Sequence, residues 1–274
     1  MSYHAPKVFV GTLCSGEAEF EEMQIAIASQ TGVEVNHEVI KDLQEHEAHN
    51  RLWLRWNELR ESHDLFVKID ADTILADPDK LASIYSLFAA DNDVTGAQIP
   101  LWDYFTDREI LGLNVFSPAV YFVTTEDTLY CDRNVERGHK KVLRGEDVAH
   151  LAPAGFHCKH PHPHQAFHFG YHRMLKGQFE IIQATAQAWQ NKGGEGRQWA
   201  LVGAWMALRL KIKNPSYRNK RFSEIAARCI AMHDWPKRLR GFVPSLMLLP
   251  RRTLADRVLL GLERHYWRLD GLWR

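Results

Sequence analysis

Cysteine is scarce and scattered in this chain. Cys14, Cys131, Cys158 and Cys229 are the only four in 274 residues, and none forms a Cys-x-x-Cys pair. That excludes a disulfide scaffold and a zinc knuckle. No stretch reaches 18 unbroken apolar residues, so a membrane-spanning helix is not expected. The start, Met1-Ser2-Tyr3-His4-Ala5-Pro6, has no apolar signal segment, and a reducing, cytoplasmic location is the expectation. An excess of one charge is missing too, since 34 basic residues balance 34 acidic ones. Without a compact basic recognition motif, nucleic acid is not an expected partner. Internal repeats and low-complexity tracts are absent.

What the chain has is size and uneven charge. It is long enough for one large α/β domain or a domain with an appendage, and nine tryptophans favour a substantial aromatic core. Residues 1–196 hold 17 basic and 29 acidic residues, whereas residues 197–274 hold 17 and five. The body is therefore near −12 and the tail near +12, which suits an interdomain contact, an anionic membrane surface or an anionic substrate.

Periodicity predicts repeated strand–helix order. Lys7–Thr12 reads as a first strand, followed by a helix from about Glu17 to Ser29 with Phe20, Met23 and Ile27 on one side. A second strand over 33–40 leads to a helix over about 43–62, its buried face set by Leu52, Trp53, Trp56 and Leu59. A third strand covers 65–69. Right-handed crossovers would place these three in one parallel sheet. Asp77-Pro78 marks a helix start, a fourth strand covers 94–99, and an aromatic, acidic loop follows at 102–107. Strand pieces at 115–116 and 119–123 are separated by Pro118, and 138–163 reads as active-site loop with short strands. Helices are expected over 165–175, 179–190, 198–210, 222–232 and 254–266. The glycine-rich stretch 191–196 predicts the boundary between a domain of residues 1–190 and a basic helical extension of residues 191–274.

The chemistry concentrates where the third strand ends, in Leu65-Phe66-Val67-Lys68-Ile69-Asp70-Ala71-Asp72. Ligands of open α/β sheets bind beyond the carboxyl ends of the strands. Asp70 and Asp72, spaced i, i+2 there, are positioned to share Mn²⁺ or Mg²⁺, which prefer oxygen ligands and also hold a diphosphate. Eight of the fifteen histidines lie within 139–172. His157, before the rigid His160-Pro161-His162-Pro163 segment, is the chosen third ligand, with His160 its rival. A separate zinc site built on His168 and His172, at i, i+4, is the alternative use. Parallel strands would bring further residues at the other strand ends to the same crevice: Thr12, Leu13 and Glu17 after strand one, Asp42 after strand two, His49 and Asn50 early on the next helix.

With these residues in view, the chain resembles the nucleotide-diphospho-sugar transferases of GT-A fold, in the style of bacterial family 2 glycosyltransferases. The likeness rests on Lys7–Thr12, Asp42, Asp70-Ala71-Asp72 and the run from His157 through Gln165-Ala166-Phe167-His168-Phe169-Gly170-Tyr171-His172-Arg173 to Lys176, and covers about residues 5–180. It implies a Rossmann-like three-layer α/β sandwich with a mostly parallel sheet, a nucleotide-sugar donor and an inverting outcome. By the same likeness Asp72 would bind the ion, Asp70 and Ala71 would belong to the donor motif, His157 would be the late ligand, and Asp42 would read the base, most often uracil. A Glu-Asp pair often supplies the catalytic base in such enzymes. Here Glu146-Asp147 lies in a loop without the usual helical context, and Asp103 and Asp107 compete with Asp147 for that role.

The acceptor is expected to be a glycan, a lipid-linked molecule or a small molecule. In the tail, the apolar insert 241–250, flanked by arginines that include Arg251 and Arg252, suits peripheral contact with the inner membrane, packing on the acidic body, or a homodimer contact. Two rival functions stand beside transfer. One is a sugar-nucleotide nucleotidyltransferase, although the loop Gly11-Thr12-Leu13-Cys14-Ser15-Gly16 lacks a basic residue. The other is a non-catalytic zinc or nucleotide-sugar binding protein.

Overall fold

The computed structural model describes residues 5–132, 136–210, 212, 215–232 and 234–247. Its chain divides into two units: Met1–Tyr104 with Arg108–Pro161, and Phe105–Asp107 with His162–Arg274. The expected boundary at 190/191 falls inside the second unit. There Gly193 and Gly194, both at positive φ, turn the chain between two helices, so the glycine-rich stretch is an interhelical turn.

The first unit is built on β1 (Lys7–Cys14), β2 (Glu34–Lys41) and β3 (Leu65–Lys68), joined by α1 (Phe20–Ala28) and α2 (Glu45–Leu59). β1 pairs in parallel with both β2 and β3, as the strand–helix alternation predicts. Then come β4 (Thr73–Leu75), α3 (Lys80–Ala89), β5 (Val94–Asp103), β6 (Arg108–Phe116), β7 (Tyr121–Phe122), β8 (Glu136–Arg137), β9 (Lys141–Leu143) and β10 (Gly155–His157). The main sheet runs β2-β1-β3-β6-β5-β10-β4, with β9 also on β5. β6 is antiparallel to both its neighbours, whereas β9 and β10 run parallel to β5.

Period-two alternation gives the sheet two apolar faces. Val8, Val10, Leu65 and Val67 meet Met23 and Ile27 of α1 and Leu81, Ile84 and Phe88 of α3. Phe9 and Phe66, one residue out of phase, meet Leu52, Trp53 and Trp56 of α2. Each such large side chain contributes about 1.5–3 kcal/mol by leaving water. Trp56 also donates its indole N–H to the Val120 carbonyl at 2.9 Å. A Cβ at Gly11 would lie 2.4 Å from Leu52 Cδ1, so a side chain there would have to displace the Leu52 methyls that pack on β1. Helices on both faces of a mixed sheet make the Rossmann-like α/β sandwich expected of a GT-A fold.

Several elements depart from the periodicity. β5 does not stop at 99; it continues through a bulge at Ile99/Pro100 to Asp103. The expected loop over 102–107 is thus the end of β5 and a tight turn into β6. The short strands expected within 138–163 do form, β10 among them, and β10 pairs with both β5 and β4. α3 begins three residues after Asp77, whose carbonyl accepts from Lys80 N in the preceding turn.

The second unit holds α4 (Pro163–Leu175), α5 (Phe179–Lys192), α6 (Glu195–Arg209), α7 (Lys220–Ile230) and α8 (Trp235–Met247). His162 caps α4, its Nδ1 accepting from Gln165 N at 3.1 Å, and Pro163 fills the first turn. Phe105 is buried and stacks on Phe169 at 3.9 Å, and Asp107 pairs with Lys192 and Arg197. Asp107 is therefore spent on ion pairs within this unit. The apolar insert is not simply exposed: Val243 is buried and Phe242 stacks on Trp205. No described helix is long and apolar enough to cross a membrane. The expected helix over 254–266, the end of the insert at 248–250, Arg251 and Arg252 lie outside the described residues.

Candidate functional site

Because β1, β2 and β3 are parallel, they finish on one edge of the sheet, and the chain leaving β3 extends that edge. Ile69 N donates to the Gly11 carbonyl and Ala71 N to the Leu13 carbonyl, so Asp70 and Asp72 are carried beside the end of β1. Asp72 then meets β10. Cys158 N donates to the Asp72 carbonyl at 2.8 Å, and His157 lies opposite Thr73 across the β4–β10 ladder.

The side chains follow from that register. His157 Nε2 stands 3.8 Å from Asp72 Oδ2. The other ring nitrogen, Nδ1, is 2.6 Å from Asp103 Oδ1. A carboxylate only accepts, so Nδ1 carries the hydrogen, and Nε2 is the nitrogen turned toward Asp72. Asp103 is buried, and its register partner on β10 is His157 itself. This carboxylate–histidine arrangement is how proteins orient an imidazole toward a metal. Cys158 closes the group, with Sγ 3.0 Å from Asp72 Oδ2 and 3.5 Å from His157 Nε2. Burial, reinforced by the Asp72 charge, holds its thiol well above the usual value. Asp72 Oδ1 is buried and has no hydrogen-bond partner among the described residues. An orphaned carboxylate oxygen beside an aimed imidazole fits a divalent cation.

Asp70 behaves differently from Asp72. It does not join this cluster; its Oδ1 pairs with Lys68 Nζ at 2.6 Å. Burial opposes both charges, yet the mutual attraction wins. It holds the Asp70 carboxyl below its ordinary value and the Lys68 ammonium above. Of the two acids expected to share the ion, Asp72 faces His157 and Cys158, whereas Asp70 is paired with Lys68.

Glu17 is drawn into the same crevice. Burial, with further contributions from Asp72 and Asp70, raises its carboxyl to about 7, against the hydrogen bond it accepts from Ser15 N. Several other expected contacts have internal duties. The Thr12 hydroxyl bonds His37 Nε2 at 3.0 Å, and Leu13 packs on the α2 face. His49 Nδ1 donates to the Glu45 carbonyl and is 3.3 Å from Cys131 Sγ. The Asn50 amide clamps Thr125 through two hydrogen bonds. Asp42 is an exposed left-handed turn residue directly after β2. Asp103 gives its carboxylate to His157 and is too buried to reach an acceptor hydroxyl. Asp147 is exposed, and accepts from Arg144 N to close a single 3-10 turn.

Sequence reasoning misses Lys68, Cys158 and the Asp103–His157 contact, because all three depend on strand register. It also misses a cavity of about 300 Å³ beside Lys68, walled by Trp53, Phe116 and Phe122 and lined by Gln98, Asn114 and His139. The indole nitrogen of Trp53 is buried there without a partner among the described residues.

No protein-family model matches the chain, and no curated protein does. Among solved structures, it is similar to the mannosyltransferase PcManGT from Pyrobaculum calidifontis in complex with GDP-Man and Mn²⁺. The identity is 14%, over 98% of this chain and 88% of that one, with a TM-score of 0.41. A second is a glycosyltransferase involved in glycosylation of the major capsid of PBCV-1, 15% identical over 41% of this chain and 60% of that one, with a TM-score of 0.30. Likeness this remote carries no functional weight, so function has to be argued from the site.

Proposed function

We propose that this protein is a metal-dependent glycosyltransferase that moves a sugar from a nucleotide diphosphate donor, UDP-linked by the resemblance, to a hydroxyl acceptor. The observation that carries this is the Asp72–His157 pair at the carboxyl edge of the parallel strands, with the imidazole locked by buried Asp103. Asp72 and His157 would hold the cation. When bound, Mn²⁺ or a similar ion supplies positive charge for the departing diphosphate. Asp70, fixed by Lys68, is left to orient the donor's ribose or a water. Glu17, close to half-protonated near neutrality, softens the repulsion among the acids until a cation arrives. The cavity beside Lys68, with aromatic walls and amide groups, is sized and lined for a sugar.

A thermal-shift screen of nucleoside diphosphates with and without Mn²⁺ tests this, since ligands stabilise the native state by mass action. A metal-dependent shift with one base is expected, and Asp72→Asn should abolish it while leaving the fold intact. Release of nucleoside diphosphate from the donor supports transfer. Release of pyrophosphate would instead mean a nucleotidyltransferase, and binding without turnover a binding protein.

A further inference from the structure

We infer that Cys158 is a third protein ligand of the cation held by Asp72 and His157, which makes the centre an Asp–His–Cys site that prefers thiophilic ions such as Zn²⁺ or Co²⁺ over Mg²⁺. This rests on the metal centre proposed above and goes beyond it in ligand set and ion class. The three donor atoms Asp72 Oδ2, His157 Nε2 and Cys158 Sγ are separated by 3.0, 3.5 and 3.8 Å. Around a tetrahedral ion with ordinary O, N and S bond lengths, donors stand about 3.3–3.6 Å apart. The triangle is therefore one face of a coordination shell to within about half an ångström, before any ion draws it together.

The backbone supports the same assignment. Cys158 sits at φ 52°, in the left-handed region that side chains other than those of Asn, Asp and His rarely adopt. Its N–H is tied to the Asp72 carbonyl, so the strained turn fixes the thiol over the Asp72 carboxylate. On ligation the thiol hydrogen leaves to solvent as a proton, and the thiolate takes its place in the ion's shell. Hard Mg²⁺ gains little from sulfur, whereas Zn²⁺ and Co²⁺ gain much.

Cobalt distinguishes this from a thiol that merely donates to Asp72. One equivalent of Co²⁺ added to the full chain should bind by calorimetry and produce a near-ultraviolet sulfur-to-cobalt charge-transfer band. Cys158→Ser should lose the band and bind Co²⁺ at least tenfold more weakly. Cys158→Gly, which suits the positive φ, should do the same and guards against misfolding of the serine variant. Cys131→Ser, in the separate Glu45–His49–Cys131 group, should keep the band. Co²⁺ binding without a band, or a band that survives both Cys158 variants, overturns the assignment and leaves the Asp72–His157 centre standing. Failure of wild-type protein to bind Co²⁺ or Mn²⁺ overturns the centre itself.

Discussion

At the scale of single residues, the site is a problem of like charge. Glu17, Asp70 and Asp72 meet at one strand edge, and Lys68 neutralises only Asp70. The folded protein therefore keeps the Glu17 proton up to about pH 7, whereas a glutamate in the unfolded chain loses it near 4.5. A raised carboxyl favours folding fully below its unfolded value, and that contribution is lost as pH rises through the folded one. In metal-free protein at pH 8, Glu17→Gln should stabilise by about 2 kcal/mol, with no gain below pH ~4.5. Urea unfolding at the two pH values checks this, and an equal effect at both would remove Glu17 from the crevice. Asp103 acts through His157, so Asp103→Asn should weaken Mn²⁺ binding by about 10–100-fold. The amide oxygen can still accept from Nδ1, which keeps the fold, but the charge that holds the imidazole is gone. Calorimetric titration measures the loss; unchanged affinity would make the contact merely structural. Acids at a strand end and a histidine beside a proline-rigid stretch are legible in the sequence. Asp103 as the partner of His157 is not, because 54 residues separate the two and only the β5–β10 register joins them.

At the scale of elements, close approach of backbone decides what substitution is tolerated. α4 and α6 cross over Gly170 and Gly203, where a Cβ would lie 1.7 Å from the Ala200 carbonyl oxygen and 2.0 Å from that of Phe167. Alanine gains about 1 kcal/mol over glycine in a helix, but overpacking costs about 1–3 kcal/mol. Here the obstacle is backbone, which cannot swing aside, so Gly203→Ala should lower stability by about 2 kcal/mol. Gly241 in α8 has nothing within 4 Å of a built Cβ. Gly241→Ala should be neutral or gain up to about 1 kcal/mol. The urea midpoint is expected to fall for Gly203→Ala and to hold or rise for Gly241→Ala, and matching shifts would refute the close crossing. The elements the sequence shows well have long local periods: β1 to β3, and the α2 face with Leu52, Trp53 and Trp56. β4 and β10 have three residues each, too few for any period. They exist because each pairs with the other and β10 with β5. Pro100 suggests the end of a strand, yet a bulge carries β5 past it. Gly193-Gly194 suggests a boundary for a sound reason, since both residues take positive φ, but that conformation serves a helix–helix turn equally well.

At the scale of the whole molecule, the buried histidines give the protein a pH dependence. Burial lowers His37, His49, His139, His164 and His168, and pushes His49 and His168 down to about 4. Lys68 adds to the effect at His49, and Lys176 and Arg173 add to it at His168. A neutral buried imidazole takes no proton in the folded state until well below the pH at which the unfolded chain takes one. Stability from these groups is therefore present above about 6.5 and is lost as pH falls toward 4. Glu17 works in the other direction, losing stability as pH rises from about 4.5 to 7. Two histidines shifted as far as one glutamate outweigh it, so the melting temperature of metal-free protein should climb from pH 4 and level off between about 6 and 7. A divalent cation favours ionised carboxylates, so saturating Mn²⁺ should cancel the Glu17 penalty and move the optimum above pH 7. The acid limb, which belongs to the histidines, should stay where it is. Melting curves from pH 4 to 9 with and without the ion separate the two limbs. An acid limb that shifts with Mn²⁺ as much as the alkaline one would tie the histidines to the metal.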